Sequence, residues 1–194
     1  MFKRFILLFT LCSVLLQSAE IVYDFEGKSL SGWHQLGSWS IIPAEQGQVL
    51  SLQQKSGRAF NLCYTKATSF SDGTVTVRFK ANSGRIDQGG GIMWRVQDDD
   101  NYYVARFNPL ENNFRFYIVK NGNRREIASA DLTLSRDWHE MKIVQKGAQF
   151  EGYIDGKGYL KARDTRLSQS GGVGVWTKAD ALTSFDELTV VNGD

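Results

Sequence analysis

The stretch Gly89–Lys120, GGGIMWRVQDDDNYYVARFNPLENNFRFYIVK, decides the fold. Inside it, GGIMWRV, NYYVARFN and NFRFYIVK are dense in aromatic and β-branched residues, and QDDD and PLEN separate them. Such side chains fit a pleated surface, while Asp, Asn and Pro interrupt it, so the stretch reads as a three-stranded β-meander. Alternation then sorts the side chains into faces. In the middle run Asn101, Tyr103, Ala105 and Phe107 share one face; Tyr102, Val104, Arg106 and Asn108 share the other. The first set is the more apolar and is expected in the core, which turns the second outward.

The flanking sequence repeats the pattern. TVTVRFKA sets Val75, Val77 and Phe79 against Thr74, Thr76, Arg78 and Lys80, as a strand with one buried face requires. IVYDFE, SWSII, QVLSLQQ, RAFNLCYT, WHEMKIVQK, QFEGYIDG, GYLKARD, GGVGVWTK and SFDELTVV read as further strands, and REIASADL as a short strand and a loop. Asn121-Gly122 and Asp155-Gly156 are two-residue hairpin turns, because type I′ geometry needs positive φ at both positions. About a dozen strands need two packed sheets or a closed barrel. No linker or repeat divides the chain, so residues 20–194 form one expected domain, an antiparallel sandwich with an apolar layer between its sheets.

Residues 1–19, MFKRFILLFTLCSVLLQSA, have a short basic start, an apolar run and a small-residue exit, the layout of a secretory signal peptide. The apolar run is too short to span a membrane comfortably. Cleavage after Ala19 removes Lys3 and Arg4, which lowers Lys plus Arg from 23 to 21 against 21 Asp plus Glu. A neutral mature chain is not built for nucleic acid or anionic membrane, which call for clustered cations. Of two cysteines only Cys63 remains, so the core must hold an exported protein without an internal disulfide. The expected location is the periplasm or the medium.

Several motifs resemble one group of domains. They are Phe25-Glu26-Gly27 with Gly32-Trp33, the Asp98, Asn101, Tyr102, Tyr103 run, Trp138-His139, Ile154-Asp155-Gly156, and Gly172, Gly174, Trp176, Thr177. Together they resemble the 3-keto-disaccharide hydrolase-like domains of the concanavalin A-like lectin/glucanase superfamily, which also holds laminin-G-like modules. The resemblance covers nearly all of the mature chain. It implies an all-β, two-sheet antiparallel jelly-roll sandwich, with sugar bound on a concave face or at rim loops in many members.

The glucanases of that superfamily carry Glu-x-Asp-x-x-Glu on one strand, which sets two carboxylates across one glycosidic bond. That pattern is absent; Glu151 with Asp155, and Asp186 with Glu187, are the nearest groupings. The sequence calls for no cofactor beyond a calcium ion that Asp98 and Asp100 of the acidic loop could hold, oxygen ligands being what that hard ion takes. His34 and His139 lack metal spacing. The alternation also puts Arg95, Tyr102, Arg106, Asn108, Trp176 and Lys178 on one face. Aromatic rings beside hydrogen-bonding groups suit a sugar, which has apolar C–H faces and a polar rim. The expectation is an exported carbohydrate- or glycan-binding domain. A hydrolase or lyase acting on 3-keto-glycosides and a structural or adhesive laminin-G-like module are the alternatives.

Overall fold

The computed structural model describes residues 19–27 and 29–193. The expected leader, residues 1–19, lies outside them apart from Ala19. The fifteen strands are β1 (Glu20–Tyr23), β2 (Trp33–Leu36), β3 (Ser38–Pro43), β4 (Gln48–Gln54), β5 (Phe60–Phe70), β6 (Gly73–Ser83), β7 (Gly91–Asp98) and β8 (Asn101–Asn108), followed by β9 (Asn113–Lys120), β10 (Asn123–Asp131), β11 (His139–Lys146), β12 (Gln149–Ile154), β13 (Lys157–Arg163), β14 (Gly171–Lys178) and β15 (Leu182–Asn192). They make two antiparallel sheets. The seven-stranded front sheet runs β10-β9-β8-β7-β14-β5-β2. The eight-stranded back sheet runs β13-β12-β11-β6-β15-β4-β3, with β1 added against β15. The expected meander is the β7-β8-β9 part of the front sheet. REIASADL, expected as a short strand and a loop, belongs instead to the nine-residue β10.

The core lies where alternation puts it. Tyr103, Ala105 and Phe107 of the front sheet meet Val75, Val77 and Phe79 of the back sheet in one cluster that also takes in Cys63. Trp94 anchors it, stacked on Tyr103 at 5.5 Å and edge-on to Phe116 and Phe150 at 5.9 and 5.6 Å. Burying each such ring stabilises the fold by about 1.5–3 kcal/mol. The indole N–H of Trp94 donates to the Gln145 amide oxygen at 2.9 Å, so no donor is stranded in the apolar layer. Asn121 and Gly122 have φ of 51° and 73°, and Asp155 and Gly156 have 49° and 76°, the left-handed pairs expected at both hairpins.

One strand breaks its alternation. Arg95 has φ 49°, and the β7–β8 register shifts between Trp94 and Asp98. This bulge puts Val96, not Arg95, beside Met93 on the outer face. Arg95 turns to the rim of the sandwich and is 3% exposed. There its Nε donates to the Ser71 carbonyl, Nη1 to Leu167 and Nη2 to Gly147, all at 2.9 Å. Nη2 also reaches Asp72 Oδ1 at 3.3 Å. The expectation that Arg95 shares a face with Arg106 and Trp176 is therefore corrected: a regular period of two does not survive an inserted left-handed residue.

Candidate functional site

The outer face of the front sheet carries a second apolar cluster: Leu62 and Tyr64 of β5, Met93 and Val96 of β7, Tyr102 and Val104 of β8, Tyr117 and Val119 of β9, and Trp176 of β14. Gly174 makes room for it, since a Cβ there would fall 2.5 Å from the Tyr64 Cβ. The sequence reading took this face as an open aromatic platform. The structure places Tyr102, Arg106, Asn108 and Trp176 on it but covers them, all at 1% exposure or less. Trp176 Nε1 donates to the Tyr102 hydroxyl at 3.2 Å, and burial pushes that phenol up well above its ordinary pKa. Phe60 packs on Trp176 with centroids 5.2 Å apart. The Arg124 guanidinium lies 4.4 Å from the Tyr117 ring and 5.7 Å from both Trp176 and Phe60. Trp176 is thus the floor of the site, and Phe60, Tyr117 and Arg124 build the layer above it.

Beside this aromatic layer lies a buried ionic cluster. The Asp180 carboxylate accepts the backbone N–H groups of Arg85, Ile86 and Asp87, which fixes the loop and holds the Asp180 carboxyl below its ordinary pKa. Asp87 Oδ1 accepts from the Asn108 amide at 3.0 Å, and Oδ2 faces Lys178 Nζ at 3.3 Å and Arg106 Nη2 at 3.8 Å. Arg106 also donates to Asn113 Oδ1 at 2.9 Å and to Glu111 Oε1 at 3.1 Å. Burial works to raise the Glu111 pKa, but the Asn113 amide and the charges of Arg106, Arg115 and Lys178 outweigh it and hold the carboxyl below its usual value. Three buried side-chain atoms among the described residues lack any hydrogen-bond partner: Asp87 Oδ2, Arg106 Nε and Arg124 Nη1. All three belong to this one face.

The acidic loop does not form an ion cage. Asp98 Oδ1 accepts the Asp100 N–H and the Asn101 amide, both at 2.8 Å. Asp100 Oδ1 takes the Arg58 guanidinium at 2.6 Å, and Asp99 faces His34 Nε2 at 2.9 Å and the Tyr64 hydroxyl at 3.1 Å. The carboxylates of Asp98 and Asp100 are engaged by protein donors, and no group of three or more His, Cys, Asp or Glu among the described residues is arranged to hold a metal. Successive residues of this tight turn point apart, and Arg58 takes up the charge of Asp100.

His139 is held in line between Ser135 and Asp155, with Nε2 3.1 Å from Ser135 Oγ and Nδ1 2.7 Å from Asp155 Oδ2. Ser135 Oγ is already the acceptor for the Asp137 N–H, and Asp155 Oδ1 for the Glu140 N–H. The three side chains therefore tie the loop before β11 to the β12–β13 turn.

Sequence reasoning missed Phe60, Asp87, Glu111, Tyr117 and Arg124. Arg124 had a signal. A two-residue turn at 121–122 pairs Arg124 with Val119, which puts it on the face of Tyr117 and Val119. Asp87 and Glu111 sit in loops, where no period predicts direction.

No curated protein matches the chain in sequence. Among solved structures, the carbohydrate-binding module CBM66 from Bacillus subtilis superposes with a TM-score of 0.69 at 22% identity, over 81% of this chain and 94% of the module. The apo Crh5 transglycosylase gives 0.66 at 14% identity, over 92% and 86%. A native glycosidic hydrolase gives 0.62 at 16% identity, over 94% and 99%. At these identities the likeness is one of fold. The family model described as 3-keto-alpha-glucoside-1,2-lyase-like domain matches residues 20–191, so the chain belongs to that family.

Proposed function

We propose that the outer face of the front sheet binds a carbohydrate. One observation carries the reading: Arg106 Nε and Arg124 Nη1, buried without partners, and Asp87 Oδ2, ion-paired but without a hydrogen bond, converge on one ring-bearing surface. A buried donor or acceptor without a partner costs about 1–3 kcal/mol, and a ligand rich in hydroxyls can supply both kinds of partner. Asp87 Oδ2 would accept from a sugar hydroxyl, Arg106 Nε and Arg124 Nη1 would donate to one, and Phe60 would meet a C–H face. The leader-like N-terminus favours a site of action in the periplasm or outside the cell. Calorimetric titration with a panel of oligosaccharides tests this. Binding that weakens in Phe60→Ala and Lys178→Ala is expected, and absence of heat with every saccharide refutes it.

Family membership favours a second reading, cleavage of a 3-keto-glucoside. The C2 proton beside a ketone is acidic. A carboxylate that removes it lets the C1–O bond break and a C1=C2 bond form, with the leaving oxygen taking a proton. Asp87, flanked by Arg106 and Lys178, is the buried carboxylate on this face. Turnover of a 3-keto-glucoside by the purified chain, abolished in Asp87→Asn, is the expected result of this reading; no turnover by the unmodified chain rejects it.

A further inference from the structure

We infer that the saccharide is anionic, carrying carboxylate or sulfate groups, and that it crosses the tip of the β9–β10 hairpin. This rests on the carbohydrate-binding reading and names the class of sugar. On the outer face, Arg58, Arg106, Arg115 and Lys178 each have a carboxylate within 4 Å. Arg124 has none among the described residues, and its Nη1 is buried without an acceptor. Three aromatic rings hold its guanidinium in place, so its N–H fork is already oriented.

The next residue carries the second observation. Arg125 follows Arg124 on β10, the edge strand of the front sheet, so the two side chains leave the strand on opposite sides. Arg125 helps line a cavity of about 220 Å³ at the hairpin tip, with Lys120, Arg166, Asn121, Asn123 and Ile118. That lining has three cations and no carboxylate. Arg166 is held by Asp164, and Lys120 Nζ reaches the Arg166 carbonyl at 3.3 Å, whereas Arg125 makes no ion pair among the described residues. Two carboxylates beside the hairpin are ion-paired, Glu126 with Arg115 at 3.3 Å and Asp100 with Arg58 at 2.6 Å. A hydroxyl would satisfy Arg124 alone. A cavity lined by cations and amides selects an anion, because hydrogen bonds to an ionised acceptor are about twice as strong as neutral ones. Two cationic stations on either side of one open sheet edge suit acidic groups on neighbouring sugars.

Titration of the full chain with oligogalacturonate, sulfated dextran, their neutral counterparts galactan and dextran, and polyglutamate tests the inference. One acidic sugar should bind about tenfold more tightly than its neutral counterpart at low salt, and added salt should erase the gap. Which acidic arm responds tells carboxylate from sulfate. Lys120→Gln/Arg125→Gln should lose about tenfold on the acidic sugar and leave neutral binding unchanged, whereas Arg124→Gln, which also removes a donor to a hydroxyl, should weaken both and the acidic sugar about tenfold more. Circular dichroism checks that the variants fold, and Arg124→Lys, which keeps charge but loses the fork, should recover only part of the loss. Equal affinity for acidic and neutral sugars overturns the anionic class and leaves carbohydrate binding standing. Polyglutamate binding as tightly as the acidic sugar overturns it too. Silence from every saccharide removes the carbohydrate reading itself.

Discussion

Replacing Arg95 by Ala should cost about 3–5 kcal/mol of folding stability, the range for removing one member of a buried ionic network. The side chain is 3% exposed and fastens three separate backbone segments, at Ser71, Gly147 and Leu167. Bonds from a charged donor contribute about 1.5–3 kcal/mol each, but their losses do not add, since water can reach carbonyls at the rim once the guanidinium is gone. Urea unfolding measures the effect. At an m-value of about 2 kcal/mol/M, the midpoint should fall by about 2 M with m unchanged. Arg95→Gly should be about 0.5–1 kcal/mol more stable than Arg95→Ala, because glycine relieves the left-handed φ of 49°. Arg95→Lys should recover less than half of the loss, having no fork to span three carbonyls. Arg115→Ala, at a site whose side chain is 30% exposed, should cost only about 1 kcal/mol or less. Saccharide affinity should survive in Arg95→Ala below its unfolding midpoint, because the side chain has left the outer face. A cost under about 1 kcal/mol, or lost affinity in a folded variant, would refute the account of the bulge.

Gly91→Ala places a Cβ 2.0 Å from the Ala105 carbonyl oxygen and 2.8 Å from Met141 Sδ, so it should cost about 3 kcal/mol or more by thermal unfolding. Cys63 is fully buried and burial raises its thiol pKa strongly, so a thiol reagent should modify it only in denaturant; labelling of Cys63 itself in the native chain at free-thiol rates contradicts this. Burial and the bond to Asp164 raise the Tyr103 pKa to about 12, above its ordinary 10.0. The neutral phenol's contribution is therefore complete below pH 10 and lost as pH rises through about 12, and Tyr103→Phe should flatten that alkaline decline in urea titrations. Burial, and then the neighbouring Glu187, raise the Asp186 pKa above 3.8, so its charged form is disfavoured in the fold. Asp186→Asn should then be the more stable protein at pH 7, with the advantage shrinking as pH falls through the raised folded pKa and gone below 3.8; a variant less stable at pH 7 counts against this.

Most strands, both I′ turns and the inward sets of β6 and β8 were legible because they follow from a local period of two and from residues that tolerate positive φ. Val75, Val77 and Phe79, and Tyr103, Ala105 and Phe107, went where their spacing required. Family membership was legible too, from short motifs spread along residues 20–191. The candidate site was read only in part. Tyr102, Arg106, Asn108, Trp176 and Lys178 do meet on one face, yet Trp176 is covered by Phe60 and Arg124 from other strands, and Asn108 is held by Asp87 and Glu111 from loops. Arg95 left that face through one left-handed residue, and Asp87 entered through a loop fixed by Asp180, more than ninety residues away in sequence. Alternation says which side of a strand a side chain leaves. What then covers it depends on how strands distant in sequence are brought side by side, and that is decided only when the sheets close.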